Sequence, residues 1–375
     1  MEGVVFNAPQ FSRWTSTAQR RVGYRNVQFI RPTHVVPKGR RVHVLPQART
    51  LMDLSDFTYT NEGRERTFDD YVTQMQVAGV LVLHDGQIVL ERYAAGHSAA
   101  STWTSFSVAK SVVSMLVGAA LADGAIRSLD DSVTHYVRAL HGSAYDGVTI
   151  RQLLQMSSGV AWNENYDDPA ADVKRIPGGF GIDTLLARMS RLPRRAAPSS
   201  VFNYNSGETD IVGEVVRSAT GRSLARYLSE KIWSPAGMEA DAYWATLRPG
   251  DVELANCCLS ATLRDYGRLG LLALGDGVAL NGKRLLPKGW MAEATSPSAT
   301  NPGYGYLWWV LSPPGRYAAI GIHGQQIYVD PRNNVVVVIQ SFWDSPTSTV
   351  LNAHRKAFRD ALTRDLVGHA SPPLR

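Results

Sequence analysis

The most constraining feature of this sequence is a run of ten uncharged, mostly apolar residues, Val112 to Leu121, which follows the helix-capping pair Thr104-Ser105. Glycine commonly ends helices, so Asp123-Gly124 supplies a stop. We therefore predict a helix that begins near Phe106 or Ser107 and ends near Asp123-Gly124. Because the run is apolar around the whole helix, the helix should be buried, with the rest of the chain folded around it.

The first turn of this helix carries a serine and a lysine three residues apart, Ser107 and Lys110, so both lie on one face. A hydroxyl is a weak nucleophile until a base removes its proton, and an amine can be that base when burial lowers its pKa. The positive end of the helix also favours an alkoxide on Ser107. Ser107-x-x-Lys110 is therefore the candidate reaction centre. The alternative is a capping hydroxyl beside a solvated lysine.

Composition and charge limit the classes to which the chain can belong. A length of 375 residues suits one large or two fused domains, and 44% apolar residues is ordinary for a globular protein. The net charge of +6 comes from arginines spread along the chain, so we expect no nucleic-acid partner. No apolar stretch has the length of a membrane span, and the first residues lack the features of a secretion signal. These observations predict a cytoplasmic enzyme.

The two cysteines, Cys257 and Cys258, are neighbours in the sequence. Adjacent cysteines rarely meet disulfide geometry, and the chain has no third cysteine with which either could pair. We therefore predict that they are reduced and that one or both pack as small hydrophobic side chains.

The order of the predicted elements indicates an α/β fold of the α+β type. A hairpin is predicted early, with strands from Val77 to Leu83 and from Gln87 to Tyr93 around a turn at Asp85-Gly86. Three strands are predicted near the end: Gly305 to Leu311, Tyr317 to Val329, and Val335 to Trp343. One antiparallel sheet flanked by helices, with an inserted mostly helical lobe, accounts for this order.

This order also divides the chain into parts. The predicted parts are an N-terminal strap at residues 1–76, a sheet domain at residues 77–135 and 245–375, and a helical lobe at residues 136–244. The strap contains short β-type runs such as Val42 to Leu45, and Trp162 to Gly181 in the lobe is predicted to be a long loop. The helix of Ser107 then lies at the seam between sheet and lobe, where pockets commonly form.

Most other catalytic signatures are missing from the sequence. There is no His-Glu-x-x-His, His-x-His or Cys-x-x-Cys spacing, and the nine histidines are scattered, so we expect no metal site. Neither a Gly-x-Ser-x-Gly elbow nor a phosphate-binding glycine loop occurs. A Ser-His-Asp triad built from His323 stays open as an alternative to the lysine.

Two further segments can complete an acyl-transfer site, which needs a proton donor for the leaving group and amide donors for the oxyanion. Tyr204 lies in a loop of small polar residues, and a phenol beside a lysine ammonium has a lowered pKa. Gly321, in a β-type run, marks the close approach of another backbone or a ligand, and an edge strand there would point an N–H into the cleft. The alternatives are a tyrosine packed for structure and a bulge that bends the strand.

Together these three segments resemble the motifs of the serine β-lactamase and penicillin-binding-protein superfamily. In that superfamily Ser-x-x-Lys is followed by Tyr-x-Asn or Tyr-x-Ser and then by a Lys-Thr-Gly-type strand. The matching segments are Ser107-Val108-Ala109-Lys110, Tyr204-Asn205-Ser206 and Ala319-Ile320-Gly321. The chain is most similar to the class C-like branch, namely the family VIII carboxylesterases and the 6-aminohexanoate-dimer (nylon-oligomer) hydrolases. The segments Asn163 to Tyr166 and Gly321 to Gln325 resemble the latter group.

The resemblance implies a role for each matching residue. Ser107 would be acylated, Lys110 and Tyr204 would share proton transfer, and the amides of Ser107 and Ile322 would form the oxyanion hole. The residues that resemble substrate-contacting positions are Tyr166, Ser206, Asn256, Gly321 and His323.

The resemblance also implies a serine hydrolase that cleaves carboxylic esters, and linear amides as a second class, through an acyl-enzyme. Ala319 stands where the family has the lysine of the third motif, which helps to hold a substrate carboxylate, so lactam substrates are less favoured. The alternatives are a β-lactamase or D-Ala-D-Ala peptidase-like enzyme, and a catalytically silent binding protein on the same fold. We expect a small-molecule ester or amide as substrate, no cofactor, no membrane partner, and a monomer or homodimer.

Overall fold

The structure of this protein is a computed structural model that describes residues 14–175 and 181–368. Its α-helices, α1 to α12, span Thr17–Gly23, Val27–Ile30, Phe68–Gln74, Val108–Ala122, Val133–Tyr136, Ile150–Leu154, Ile182–Met189, Ser206–Thr220, Leu224–Leu228, Leu263–Leu274, Trp290–Ala294 and Thr349–Gly368. Its strands, β1 to β12, span Thr33–Val36, Thr58–Asn61, Arg64–Thr67, Val77–His84, Gln87–Tyr93, Trp103–Thr104, Ala242–Ala245, Leu259–Ala261, Trp309–Leu311, Arg316–Gly321, Gln325–Asp330 and Val335–Ser341.

The centre of the fold is an antiparallel sheet in the strand order β5-β4-β12-β11-β10-β9. The predicted hairpin is confirmed as β4 and β5, and the turn residues Asp85 and Gly86 both have positive φ, at 48° and 76°, as a type I′ turn requires. Strand β4 pairs with β12 from Val77 opposite Ser341 to His84 opposite Val335. A strand from early in the chain is therefore held between its hairpin partner and the last strand.

Both faces of the central sheet are covered. Along β12, Val336 and Val338 point into a core that also contains residues of α4 and α10, whereas Val335, Val337 and Ile339 point into a second core that contains residues of α12. This alternation follows from the period of two along a strand. Because both faces are buried, the strand reads as a continuous apolar run.

The helix predicted around the apolar run is α4, and it is buried along almost its whole length. Ser107 is its N-cap and Asp123 its C-cap, and Gly124 follows with a φ of 71°, so the predicted start and end are confirmed. Gly118 leaves room for Trp290, whose ring lies 2.7 Å from the point where a Cβ would stand. Helix α4 contacts α8 and β10, and within the described ranges no helix is both long and apolar enough to span a bilayer.

The prediction of one sheet is incomplete. Strands β1, β7, β8 and β6 form a second antiparallel sheet, which joins the N-terminal segment to the middle of the chain. These strands have two to four residues each, too few to show an alternating pattern in the sequence. The predicted β-type run Val42 to Leu45 is not a strand.

Three further boundaries differ from the predicted ones. The strand predicted from Tyr317 to Val329 is two strands, β10 and β11, separated by a turn at Ile322–Gly324 in which His323 has a φ of 59°. Of the strand predicted from Gly305 to Leu311, only β9 is formed. The loop predicted from Trp162 to Gly181 contains a 3₁₀ turn at Asp172–Arg175, and its residues 176–180 lie outside the described residues.

Candidate active site

The hydroxyl of Ser107 lies at the N-terminus of α4 and faces a cleft of about 560 Å³. It makes no capping hydrogen bond to its own helix. The preceding residue, Phe106, has a φ of 45°, an uncommon conformation for a bulky residue and one that clusters at functional sites. The turn into α4 therefore leaves the Ser107 hydroxyl accessible to a group bound in the cleft.

The amine of Lys110 contacts this hydroxyl directly. Its Nζ lies 3.0 Å from Ser107 Oγ and 2.8 Å from the main-chain oxygen of Asn256, and the side chain is 1% exposed. Burial lowers the pKa of the Lys110 amine to about 8, while the carboxylates of Glu164 and Asp210 act in the opposite direction. Lys110 can therefore be uncharged, and able to accept a proton, at mildly alkaline pH.

The phenol of Tyr204 is the second polar side-chain group in contact with Ser107. Its hydroxyl hydrogen-bonds with Ser107, and Lys110 Nζ lies 5.2 Å from the centre of its ring. Trp309 stacks on the same ring at 5.8 Å between centroids. The predicted lowering of the Tyr204 pKa is wrong, because burial raises it and the nearby Glu164 carboxylate raises it further. Tyr204 is therefore a neutral hydroxyl at neutral pH and can donate a proton.

Glu164 was not assigned a role from the sequence, yet its carboxylate makes several contacts with residues of this site. Its carboxylate accepts hydrogen bonds from Ser206 Oγ at 2.6 Å, from Ser206 N at 3.1 Å and from the Tyr166 hydroxyl at 3.0 Å, and also from Trp162 Nε1. It lines the cleft and is the main carboxylate that opposes the lowered pKa of Lys110. The segment Asn163 to Tyr166 resembled a family segment, but nothing local distinguished Glu164 from the neighbouring acids.

The third segment brings a strand end against the start of α4. A Cβ on Gly321 would stand 2.4 Å from the main-chain oxygen of Ser105, so glycine is required there, and the predicted close approach of another backbone is confirmed. Strand β10 is not the edge of the sheet, because β9 pairs with its first half, Arg316 to Ala318. Beyond that point Gly321 has no β9 partner, and Ile322, which follows it, lines the cleft.

The five residues that resemble substrate-contacting positions fall into two groups. Tyr166 and Gly321 line the cleft. The side chains of the other three are bound to protein groups: Ser206 Oγ donates to Glu164, Asn256 Nδ2 donates to Asp210 at 2.6 Å, and His323 Nδ1 lies 2.7 Å from the main-chain oxygen of Trp343. The imidazole of His323 also packs on the rings of Tyr24 and Phe106. The hydroxyl of Ser107 is hydrogen-bonded to Lys110 and not to His323, the partner that the alternative triad would require.

The prediction of two reduced cysteines is wrong. Cys257 and Cys258 form a disulfide although they are neighbours. Within this small covalent ring Cys258 adopts the left-handed backbone conformation, with a φ of 74°. The ring directly follows Asn256, whose main-chain oxygen accepts the hydrogen bond from Lys110.

The cleft has an apolar wall and charged groups at two places. Trp309, Leu311, Ile320, Ile322 and Trp343 contribute the wall. Glu164 is the carboxylate of the cleft, and α12 contributes Arg355, whose guanidinium lies 5.2 Å from the ring centre of Trp343. Within residues 14–175 and 181–368, no three His, Cys, Asp or Glu side chains are arranged to hold a metal ion.

Comparison with known proteins gives consistent results over most of the chain. The sequence model of the family described as Beta-lactamase matches residues 64–360. A 6-aminohexanoate-dimer hydrolase from Paenarthrobacter ureafaciens is 29% identical over 367 residues, which cover 92% of this chain and 91% of that protein.

Solved structures with similar folds cover the chain to a comparable extent. A protein from Bacillus anthracis, described as a candidate 6-aminohexanoate-dimer hydrolase, superposes with a TM-score of 0.84 at 26% identity and covers 97% of this chain and 98% of its own. A family VIII carboxylesterase superposes with a TM-score of 0.61 at 16% identity, over 78% of this chain and 95% of its own. At that identity the second likeness concerns the fold alone.

Proposed function

Because this chain belongs to the beta-lactamase family of hydrolases, we propose that it is a serine hydrolase that cleaves carboxylic esters, and linear amides as a second class, through an acyl-enzyme. The observation that carries the proposal is the 3.0 Å contact between Lys110 Nζ and Ser107 Oγ at the edge of an accessible cleft. A buried amine whose pKa is lowered to about 8 is a suitable base for a serine hydroxyl.

In the proposed acylation step, the Lys110 lone pair takes the proton of Ser107 while Oγ bonds to the substrate carbonyl carbon. The amides of Ser107 and Ile322 hold the oxyanion. The bond from carbon to the leaving oxygen or nitrogen then breaks, and the leaving group takes a proton from Tyr204, which recovers one from the Lys110 ammonium. Deacylation runs through the same groups in reverse. Water attacks the acyl carbon and gives a proton to Tyr204, which passes one to Lys110. Ser107 Oγ then leaves with the proton of the Lys110 ammonium, and the acid is released.

The cleft and one relative support the proposed substrate class. Ala319 is buried in β10 at the position of the family's lysine, so that position offers no cation to a lactam carboxylate, whereas Ser107, Lys110 and Tyr204, the proposed acyl-transfer groups, are retained. The relative from Paenarthrobacter ureafaciens is named for a linear amide dimer, which supports linear amides as the second class. One observation favours a β-lactamase or peptidase-like alternative: Arg355 of α12 also lines the cleft and could meet a carboxylate.

We expect a fluorophosphonate probe to label the folded protein at Ser107 and Ser107→Ala to remain unlabelled. Turnover of p-nitrophenyl esters, 6-aminohexanoate dimer and nitrocefin would then be compared on the same preparation. Ester turnover well above nitrocefin turnover is the expected result. The reverse order would establish the lactam alternative, and absence of labelling in the folded wild-type protein would leave a catalytically silent binding protein on this fold.

The pH dependence should report the base. Only the uncharged amine of Lys110 accepts a proton, so kcat/KM is expected to rise with pH through about 8. The Glu164 carboxylate raises the Lys110 pKa, and Glu164→Gln should therefore move this acid limb to lower pH. The measurement is kcat/KM for one ester between pH 5 and 10. An acid limb that stays in place, or moves to higher pH, would contradict the assignment of Lys110 as the titrating group.

A further inference from the structure

A second carboxylate beside the site, Asp210, has no part in the steps above. It lies on α8, is 4% exposed, and accepts two hydrogen bonds from one residue, Asn256 N at 3.0 Å and Asn256 Nδ2 at 2.6 Å. The amide of Ala255 also contributes a hydrogen bond to it. Burial of a carboxylate costs free energy unless hydrogen-bond donors satisfy it. The donors named here belong to Ala255 and Asn256, so the Asp210 carboxylate is bound to a single turn of the chain.

The face of α8 that carries Asp210 is shaped for this turn. Gly213 lies one helical turn beyond Asp210, and a Cβ on it would stand 2.5 Å from the Cβ of Ala255. Residues three apart on a helix share a face, so the carboxylate and the missing side chain act on the same segment. The other side of the segment is held by Trp244 Nε1, which donates to the main-chain oxygens of Leu254 and Cys257.

The clamped turn ends at the Lys110 amine. The main-chain oxygen of Asn256 accepts a hydrogen bond from Lys110 Nζ at 2.8 Å, and the same nitrogen contacts Ser107 Oγ at 3.0 Å. An uncharged amine has two N–H groups and one lone pair. A fixed acceptor for one N–H therefore restricts the directions in which the lone pair can point.

We propose that Asp210 is a positioning residue, which acts through Asn256 to aim the lone pair of Lys110 at the hydroxyl of Ser107. This inference rests on the proposed function. This role explains why the side chain of Asn256 is turned away from the cleft, since its amide donates a hydrogen bond to Asp210. Asp210 touches neither Ser107 nor the cleft, so its effect reaches the reaction only through the turn and through its charge.

The charge of Asp210 gives the role a signature in pH dependence. The groups that act on Lys110 are the hydroxyl of Ser107, the ring of Tyr204, the Glu164 carboxylate from its loop and the Asp210 carboxylate from α8. Both carboxylates raise the pKa of Lys110. Burial raises the pKa of Asp210 to about 6, and the donors of Asn256 oppose that rise. Asp210 is therefore ionised in the range in which Lys110 titrates.

The test compares Asp210→Asn with the exchange variant Asp210→Asn/Asn256→Asp, which restores a carboxylate–amide pair in the opposite order. Asp210→Asn sets two amide groups against each other and removes the charge. We expect kcat for an ester to fall by about 10²-fold, as misplacement of a reacting group by an ångström can cause, with KM little changed and the acid limb at lower pH. The exchange variant should recover most of kcat and return the acid limb toward that of wild type.

The matched control is Glu214→Gln, which removes a carboxylate one turn further along α8 that pairs with Arg217. It should leave kcat and the acid limb unchanged. If Asp210→Asn does not fold, Asn256→Ala removes only the side-chain donor and keeps the main-chain oxygen, and it should lower kcat several-fold without a change in KM.

Two results would overturn the inference: an Asp210→Asn variant with the kcat and acid limb of wild type, or an exchange variant no better than the single one. The pKa of Lys110, followed by NMR on protein with ¹⁵N-labelled lysine side chains, adds a readout that needs no turnover. If wild type cleaves no ester, the proposed function fails, and the NMR shift on Asp210→Asn still decides whether Asp210 acts on Lys110.

Discussion

Replacement of Lys110 with alanine is expected to slow acylation of Ser107 by about 10⁴-fold or more. Lys110 Nζ is the basic group in contact with Ser107 Oγ, and its substitution leaves the hydroxyl with a phenol whose pKa burial has raised. The measurement is the rate of labelling by a fluorophosphonate, supported by kcat/KM for a p-nitrophenyl ester. Both should fall together, because both begin with the same proton transfer.

The control for Lys110→Ala tests whether the variant is still folded. Lys110 is buried, so alanine leaves a cavity and lowers the free energy of unfolding, whereas Lys110→Met fills the same space without a base. Thermal unfolding of both variants shows whether loss of activity reflects loss of structure. Ester turnover near that of wild type in either variant would rule out Lys110 as the base and return attention to Tyr204.

Tyr204→Phe should lower kcat/KM by about 10² to 10⁴-fold, the usual range for removal of a proton-transfer group. The loss should depend on the leaving group. p-Nitrophenolate leaves without a proton, whereas an alkoxide or an amine needs one, so alkyl esters and linear amides should lose more activity than p-nitrophenyl esters. The measurement is kcat/KM, which reports acylation and not deacylation, for these three substrate classes on one preparation.

The matched control is Tyr304→Phe, because Tyr304 is a buried tyrosine whose ring lies 6.0 Å from that of Tyr204. Loss of its hydroxyl should leave the ratio of alkyl to p-nitrophenyl ester turnover unchanged. An equal loss for all substrates in Tyr204→Phe would mean that Tyr204 orients Ser107 and does not protonate the leaving group.

Elements that depend on neighbouring residues were predictable from the sequence. Helix α4 follows from an apolar run between capping and stop residues, and the hairpin of β4 and β5 follows from Asp85-Gly86. The pair Ser107 and Lys110 needed only the geometry of one helical turn. Tyr204 and Gly321 were singled out by residue type and neighbouring residues, but only the resemblance linked them to Ser107, since no local pattern brings them together.

The parts that were missed depend on contacts between distant segments. Glu164 and Asp210 reach Lys110 from two different parts of the helical region, and neither carboxylate differs locally from a solvated acid. The raised pKa of Tyr204 follows from its burial, which the sequence does not display. The ring of Cys257 and Cys258 contains one residue in the left-handed conformation, Cys258, which no motif marks.

The pairing of β4 with β12 bears on how the chain acquires its fold during synthesis. The ribosome synthesises β4 long before β12. The nascent protein therefore contains the hairpin of β4 and β5 while β4 still lacks β12, its second neighbouring strand. That open edge is able to pair with other chains until the last strand emerges. A premature stop codon between Ile322 and Val335 would therefore yield an aggregating polypeptide, even though Ser107, Lys110, Tyr204 and Ile322 had all been translated.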